Sequence, residues 1–564
     1  MNRRELLIKA AVVASCIKVL PIAGAQAKTA APARANSADA ALTPAQRYLQ
    51  LAESLKPTLS EVSYPPLAVV EPKADKSHML GYVMQKTGGI DALAQRTFKT
   101  GDSVIVDFGD HYTGFLTFLL GWKGVSCDSP ARLRLTFGEV VTDVAEPLYP
   151  YNGWISAAWL PEEIVNVDFL PAPVRIARRQ SFRYVKIDVI ATSSNFSVTF
   201  DDIRVQAVSS AGEDKHLPAQ YDGPLWRDID KASIRTLHEC MQTVFEDGPK
   251  RDRRLWLGDL RLQALANYVS FNNTDLVRRC LYLFAGLQRD DGYVTACVYE
   301  KPVPRIGEVV LLDYAALFGC VLLDYFHASR DKTTVVELWP IAKKQIELLL
   351  RHVNSDGVFI IPEKDYVFID WNTGEDQAAA TQGMDKQTAM QGLLIYSCRR
   401  LVELAKVISP TENMDGVVDK ITKMTAAAKN VFYDPTLQLF ISGGNRQISW
   451  ASQIWMALAN VLPQKETAIS LRKVMATPEA IRPLTPYLYH HMVDALVQSG
   501  LTTQAKELVE NYWGGMIKAG ADTFWEAFDP DNPQASPYGS KQINSYCHAW
   551  SCTPSYFIRN QFRK

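Results

Sequence analysis

From about Leu217 to its end, the chain repeats one pattern: an amphipathic helical stretch, a stop marked by Gly or Pro, and another helical stretch. Leu338, Ala342, Ile346, Leu349 and Val353 recur at three and four residues and so share one apolar stripe. Asn354-Ser355-Asp356-Gly357 stops that helix with a Gly suited to a left-handed cap, and Arg289-Asp290-Asp291-Gly292 stops the apolar run before it. Further helical runs are expected over 386–407, 451–462, 484–498 and 503–513, the last ending at a Gly-marked break over 514–520. Roughly 350 residues, at about thirty per helix and loop, make about twelve helices. Twelve antiparallel helices close as an (α/α)6 barrel whose loops at one end form a pocket. An open solenoid would need a strict repeat period, and the sequence has none.

The chain before this point has a different texture. Between 69 and 216, short β-rich runs (Ser103-Val104-Ile105-Val106-Asp107-Phe108, Arg132-Leu133-Arg134-Leu135-Thr136-Phe137, Tyr184-Val185-Lys186-Ile187-Asp188-Val189, Phe196-Ser197-Val198-Thr199-Phe200) are separated by Gly, Pro, Asp and Asn clusters. Strands without intervening helical pattern predict an antiparallel β-sandwich. Residues 28–68 read as an Ala-rich linker and a short helix opened by Thr43-Pro44, a good cap and first-turn pair. Residues 1–27 carry Arg3-Arg4, a short apolar core and Ala25-Gln26-Ala27, the pattern of an export signal resembling the twin-arginine type. Val13-Ala14-Ser15-Cys16 also resembles a lipoprotein box, with Cys16 as lipid acceptor, and a periplasmic or secreted location is expected. The expected architecture is therefore an N-terminal β-sandwich (69–216) followed by an (α/α)6 barrel (217–564).

Composition narrows the function. A formal charge of −1 without long single-sign runs offers no electrostatic footing for nucleic acid or an acidic membrane surface, leaving the lipid at Cys16 as the one membrane link. The nine cysteines form no CxxC pair and read as scattered buried thiols, although Cys547 and Cys552 are close enough in sequence to pair after export. His490-His491 is adjacent rather than spaced by four, so it makes no zinc face. There is no GxSxG, no Walker A and no GxGxxG after a strand. No metal or other cofactor is implied.

Residues 246–263, EDGPKRDRRLWLGDLRLQ, stand out. They gather three carboxylates after Glu246 (Asp247, Asp252, Asp259), four arginines (Arg251, Arg253, Arg254, Arg261), Lys250 and Trp256. Pro249 forbids a helix through it and biases Gly248 to extended geometry. The segment reads as a loop that delivers charged groups to one place and enters a helix near Asp259, itself a suitable N-cap. Four other features join it: Asp313-Tyr314, the Asp370-Trp371 pair after Phe368-Ile369, Asp522-Thr523-Phe524-Trp525-Glu526, and His548-Ala549-Trp550. Singly, each has an ordinary explanation, since Trp is often core, Asp313 suits buried backbone, and a lone His is often satisfied in a core. Together they put acid–aromatic pairs on several loops of a helical barrel, the composition of a sugar pocket.

Asp247-Gly248-Pro249-Lys250-Arg251-Asp252, ending at Leu257-Gly258-Asp259, resembles the D-C-P-x-R-E…G-W-T-G-D signature of the α-L-rhamnosidases, glycoside hydrolase family 78. Residues 368–371 are similar to the family's G-D-W loop, 522–526 to its T-T-x-W-E segment, His548 to its late S-x-x-H histidine, and Phe182-Arg183-Tyr184-Val185 to its R-Y-V strand. The resemblance implies an inverting hydrolase of a terminal α-L-rhamnose or related sugar. Asp252 then occupies the general-acid position and Glu526 the general-base position, with carboxyls about 6.5–9.5 Å apart. Asp247, Arg251, Trp256, Asp259, Trp371 and His548 line the sugar subsite, and Asp313 and Trp525 are further candidates for it. The sequence departs from the signature in four ways: Asp252 stands where the family has Glu, Gly248 where it has Cys, Trp256-Leu257 where it has Trp-Thr, and Arg253-Arg254 adds positive charge beside the acid. The arginines suit an anionic sugar such as a uronic acid. Two other readings stay open. One is a lyase on a uronate glycan, with Arg251 or Arg253 neutralising the carboxylate and Tyr314 or Tyr366 taking the proton. The other is a non-catalytic sugar binder.

Overall fold

The computed structural model describes residues 42–212, 221–373, 386–532 and 534–562. The expected export signal, Cys16 and nearly all of the Ala-rich linker lie outside these residues. Thr43 caps helix α1 (Pro44–Ser54) with its side chain while Gln46 answers in a capping box. This helix lies on the outside of the barrel, where Ala52 is buried and its carbonyl accepts from the buried Arg279.

The β-domain is one nine-stranded antiparallel sheet: β1 (Ser60–Tyr64), β2 (Ala68–Ala74), β3 (Tyr82–Gly88), β4 (Ser103–Gly124), β5 (Ala131–Gly138), β6 (Glu162–Val167), β7 (Ala172–Arg175), β8 (Gln180–Ala191) and β9 (Phe196–Ser209). Alternation drives it. In β5, Ala131, Leu133 and Leu135 are buried while Arg132 and Arg134 are exposed, the period of two that a one-sided strand requires. The long β4 ties the layers together. Its first part pairs with β2 and β8, the β8 pairing resumes after a register shift between Asp107 and Tyr112, and from Gly114 onward it pairs with β9 and then also β7. Leu116, Phe118, Leu133, Leu135, Val185, Ile187, Val198 and Phe200 fill the interior between the layers. The four β-rich runs expected from sequence fall in β4, β5, β8 and β9.

The rest is the six-hairpin helical barrel. Its helices are α2 (Pro224–Cys240), α3 (Leu257–Tyr268), α4 (Thr274–Gly286), α5 (Leu312–Ser329), α6 (Lys332–Leu350), α7 (Gln387–Ile408), α8 (Asp415–Ala427), α9 (Trp450–Leu458), α10 (Gln464–Met475), α11 (Pro486–Gln498) and α12 (Thr502–Lys518), followed by a short C-terminal turn at Pro554–Tyr556 and Phe557–Gln561. Inner and outer helices differ in burial. From Leu257 to Asn267, α3 is buried all round, whereas α10 buries only Thr467, Ala468, Ser470, Leu471 and Val474 on one stripe. The pattern is not helical throughout, as the sequence had suggested. Leu255–Trp256 (β10), Cys297–Tyr299 (β11) and Arg305–Ile306 (β12) form a small antiparallel sheet, because the loops between hairpins need partners for their buried backbone groups. Nor does a break follow Trp513: α12 runs through Gly514 and Gly515 to Lys518, since Gly514 packs on Leu225 and Gly515 on Phe528. Cys547 and Cys552 are both free and buried, and Cys127 is the least buried of the thiols described.

The two domains meet through a buried polar network. His111 Nε2 lies 3.2 Å from Glu139, which also accepts from Ser181 Oγ (2.6 Å) and from the backbone N–H of Tyr546 (2.6 Å). Glu239 of α2 accepts from the Thr113 N–H and lies 3.4 Å from Arg235 and 4.0 Å from His111. Lys250 reaches back to Asp143 at 3.6 Å, and Arg183 bridges Asp107 (2.9 Å) and Asp522 (3.3 Å). Such groups are costly to bury and remain only because each has partners; removing one partner leaves an uncompensated charge. Burial alone would discourage a proton on His111, but beside Cys547, Glu139 and Glu239 its pKa is pushed up to about 10. A raised histidine stabilises the fold fully below its unfolded pKa of about 6.5 and loses that contribution as pH rises through about 10. The urea midpoint should therefore fall between pH 6.5 and 10 in the wild type, and the fall should be visibly shallower in His111→Gln.

Candidate active site

One end of the barrel holds a cavity of about 410 Å³. Its walls come from the loop after α2 (Asp247, Arg251, Asp252, Arg254), the start of α3 (Trp256, Asp259), the start of α5 (Leu311, Tyr314), the loop before α7 (Phe368, Trp371) and the chain after α12 (Glu526, Tyr538, His548, Trp550). The β-domain closes the remaining side with Trp154, Ile155 and Trp159. Sequence-distant loops converge here because antiparallel hairpins return the chain to the same end of the barrel.

Asp247 shapes the charged loop. Its carboxyl accepts from the backbone N–H groups of Asp252 (3.1 Å) and Arg254 (3.0 Å), closing the turn on itself. Burial and the neighbouring Asp252 push its pKa up to about 8. Gly248 is needed for this turn, since a Cβ there would lie 2.6 Å from the Arg251 carbonyl and 2.9 Å from Ser545 Oγ. Arg251 then points inward, fully buried. It donates to the Ile543 carbonyl (2.7 Å) and to Glu526, lies 3.6 Å from Asp252, and sits 4.0 Å from the Tyr538 ring centre. Asp252 is the most open acid of the group, its side chain 20% exposed, between Arg251 and Arg254 at 3.6 Å each. The two arginines after it diverge. Arg254 lines the cavity, whereas Arg253 turns away and donates to the carbonyls of Pro249 (2.8 Å) and Arg179 (2.7 Å).

Glu526 accepts from Arg251 on one oxygen and from the Tyr538 hydroxyl on the other, and burial raises its pKa against the pull of Arg251. Asp259 is not the N-cap of α3. Trp256 holds that position in extended backbone, paired with Cys297 across the small sheet, which puts Asp259 in the first turn. There its carboxyl faces the cavity, with a pKa pushed well up by burial and by Asp247. His548 stands among these acids, 3.9 Å from Asp247, 3.9 Å from Asp259 and 4.0 Å from Glu526. Burial, and then Arg251, push its pKa far down, so the ring is neutral. His548 Nδ1 and Asp259 Oδ1, the atoms of their 3.9 Å approach, have no hydrogen-bond partner in the described structure. Two such buried polar atoms on one wall call for a polar ligand.

Two expected lining residues do not reach the cavity. Asp313 is fully buried and accepts from the N–H groups of Phe368 (2.8 Å) and Ile369 (3.0 Å), because the start of α5 lies behind that loop. It positions Trp371. Asp370 does the same from the other side, accepting from Thr485 Oγ1 and from the Leu488 N–H at the start of α11. Trp525 points into the core against Phe528 and Tyr546, as its neighbour Glu526 takes the cavity face. Conversely, Tyr538, Trp154 and Trp159 line the site without having stood out in the sequence. The Pro- and Gly-rich aromatic stretch Tyr149-Pro150-Tyr151-Asn152-Gly153-Trp154 was the available signal. Trp154 donates from its indole to the Pro537 carbonyl (3.0 Å) and lies 5.6 Å from the Tyr538 ring, so the β-domain is stapled to the mouth of the cavity.

A family model described as the glycosyl hydrolase family 78 alpha-rhamnosidase N-terminal domain matches residues 66–207, and one described as the bacterial alpha-L-rhamnosidase six-hairpin glycosidase domain matches residues 221–562. Among solved structures, the chain is similar to a rhamnosidase from Klebsiella oxytoca with rhamnose bound. The two are 46% identical with a TM-score of 0.87, over 91% of this chain and 98% of that one. The fold is also that of a family 78 rhamnosidase of Bacillus sp. GL1 (18% identity, TM-score 0.69, 86% of this chain and 51% of that one). A Streptomyces avermitilis alpha-L-rhamnosidase complexed with L-rhamnose shares it too (15%, 0.61, 89% and 44%). No curated protein sequence matches.

The wall at α3 gives a stability prediction. A Cβ on Gly258 would lie 2.4 Å from the ring of the buried Tyr314, so Gly258→Ala should cost about 1–3 kcal/mol in urea unfolding. Gly416→Ala, near the start of α8 with open space around it, should stay within about 1 kcal/mol of wild type, on the stabilising side.

Proposed function

This chain belongs to glycoside hydrolase family 78, its helical barrel being a bacterial α-L-rhamnosidase six-hairpin domain, and on that premise we propose that it removes terminal α-L-rhamnose by an inverting, two-carboxylate mechanism. The observation that carries the reading is the pairing of Asp252 and Glu526 across Arg251: one guanidinium lies between the two carboxyls, with a different terminal nitrogen toward each. A guanidinium's width plus two contacts suits the spacing that lets a water enter beside the sugar. Asp252, exposed to the cavity and without a hydrogen bond to its carboxyl among those described, protonates the glycosidic oxygen. Glu526, oriented by Arg251 and Tyr538, takes a proton from the attacking water on the opposite face of the ring. Asp259 and His548 offer the orphaned acceptor and ring nitrogen to the sugar hydroxyls, and Trp256, Trp371 and Trp550 face its apolar edges. Binding of rhamnose by the Klebsiella relative supports the choice of sugar.

The lyase reading is less well supported. Tyr314 lines the cavity, but Tyr366 does not, and Arg251 and Arg253 are engaged with Glu526 and with backbone carbonyls rather than open to a uronate in the main cavity. We also propose export by the signal over 1–27. Cell fractionation of the full chain beside an Arg3→Lys/Arg4→Lys variant should move the protein from periplasm to cytoplasm if that reading holds.

On 4-nitrophenyl α-L-rhamnopyranoside, wild type should release nitrophenol, and NMR should show β-L-rhamnose as the first anomer formed. Glu526→Gln should lose roughly 10²–10⁴-fold in kcat. Asp252→Asn should lose less on this activated phenol than on a rhamnosyl disaccharide, because a good leaving group needs little proton transfer. First release of the α-anomer would overturn the inverting assignment.

A further inference from the structure

Beyond Asp252 the main cavity continues into a smaller one of about 190 Å³, which shares Trp159, Asp252 and Arg254 with it and also exposes Arg253, Tyr299 and Lys301. Its charges are unevenly satisfied. Of the two remaining carboxylates, Glu246 is paired with Arg179 at 2.5 Å, and Glu300 with Arg279 at 2.9 Å and Thr243 at 3.1 Å. The arginines are held mainly by rings and backbone instead, while Lys301, its side chain largely exposed, lies 3.9 Å from Glu300. The Arg254 guanidinium stacks on Tyr299 at 4.5 Å, with Asp252 its nearest described carboxylate, and Arg305 stacks on the same ring at 3.9 Å. Tyr299 and Arg305 face each other in the register of β11 and β12, so this stack is built into the small sheet. Arg253 and Arg178 both lie over Trp159, at 5.8 and 5.9 Å. Burial and the neighbouring Arg179 push the Arg253 pKa down to about 9, the mark of a cation in like-charged company.

The position of Asp252 gives this pocket a role. An acid that protonates the glycosidic oxygen touches the bond between the departing residue and the sugar being released. With the terminal sugar in the main cavity, the departing residue lies on the other side of Asp252, in the smaller pocket. We propose that this pocket is the leaving-group subsite and that it takes a uronic acid, whose carboxylate is held by Arg254 and Lys301 and whose ring lies against Trp159. The inference rests on the hydrolase reading above. Hydrolysis is then the ordinary step: the proton of Asp252 goes to the uronate's glycosidic oxygen as its bond to rhamnose breaks, and water, deprotonated by Glu526, adds to the rhamnose carbon.

The test compares α-L-rhamnosyl-D-glucuronates, 1→2-, 1→3- and 1→4-linked, with their methyl esters, which keep the shape and linkage but remove the charge. For at least one linkage, kcat/KM should favour the free acid by about tenfold or more, and the preference should shrink as salt is raised. The acid-to-ester ratio should fall several-fold in Arg254→Gln and in Lys301→Gln. As a ratio, it is insensitive to general loss of folding or turnover. Equal cleavage of acid and ester, or no cleavage of either by an enzyme that still cleaves the nitrophenyl rhamnoside, overturns the uronate subsite and leaves the hydrolase standing. Failure on every rhamnoside, the nitrophenyl one included, overturns both. A preference unchanged in both variants overturns the assigned cations.

Discussion

The buried guanidinium of Arg251 is the interaction on which the rest of the site depends. Four carboxyls, Asp247, Asp252, Asp259 and Glu526, converge on one cavity, and like charges that close cannot all ionise. The protein resolves this in two ways. Burial keeps Asp247 and Asp259 inclined to hold their protons, and Arg251 supplies a fixed positive charge between Asp252 and Glu526. The same cation helps keep His548 neutral, so the ring can accept or donate a hydrogen bond without adding a charge. Arg251 is also bonded to the Ile543 carbonyl, so one side chain fixes the distance between two loops that lie far apart in sequence.

The β-domain supplies the frame in which that distance holds. Glu139, at the end of β5, accepts from the Tyr546 N–H two residues before His548, and Asp143 just after it faces Lys250 one residue before Arg251. A single turn of the sandwich therefore grips both loops that carry the acids. Lys250 completes the clasp by donating to the Asn544 carbonyl. The sandwich behaves as a jig for the barrel's chemistry, which accounts for so much ionic pairing in a buried interface: apolar contacts would hold the domains together, but directional charge pairs set their register.

What the sequence makes legible follows from the range of each signal. Periodicity is local, so the switch from alternating strands to helical stripes and the α1 cap at Thr43 could be read directly, whereas α6 stops at Leu350 with a right-handed cap at Arg351, and the left-handed Gly357 belongs to the turn after it. Residue chemistry clustered within 246–263 was equally legible, as was Glu526 beside a Trp. Contacts that exist only in three dimensions were not. Asp313 and Trp525 have the right chemistry and local setting, yet one is turned by the start of α5 to hold the Phe368–Ile369 backbone and the other by its neighbour into the core. Tyr538 and Trp159 have unremarkable neighbours, and even Trp154, in its Pro- and Gly-rich aromatic stretch, becomes part of the site only because two domains meet there. Arg253 and Arg254 are indistinguishable in sequence. A left-handed backbone at Arg253 (φ +61°) separates them, sending one toward the Pro249 and Arg179 carbonyls and the other into the cavity.

Trp154, Ile155 and Trp159 lie on a connection between β5 and β6 that carries none of the acids. Chemistry and outer wall are thus encoded in separate stretches of the chain. Substitutions or changes of length in the later part of that connection, from 149 to 159, can reshape what rests outside the released sugar while Glu139 and Asp143, at its start, keep the proton-transfer groups in place on the barrel. A lineage built this way can change diet without relearning its reaction, and an engineer seeking new glycosides would diversify residues 149–159 first.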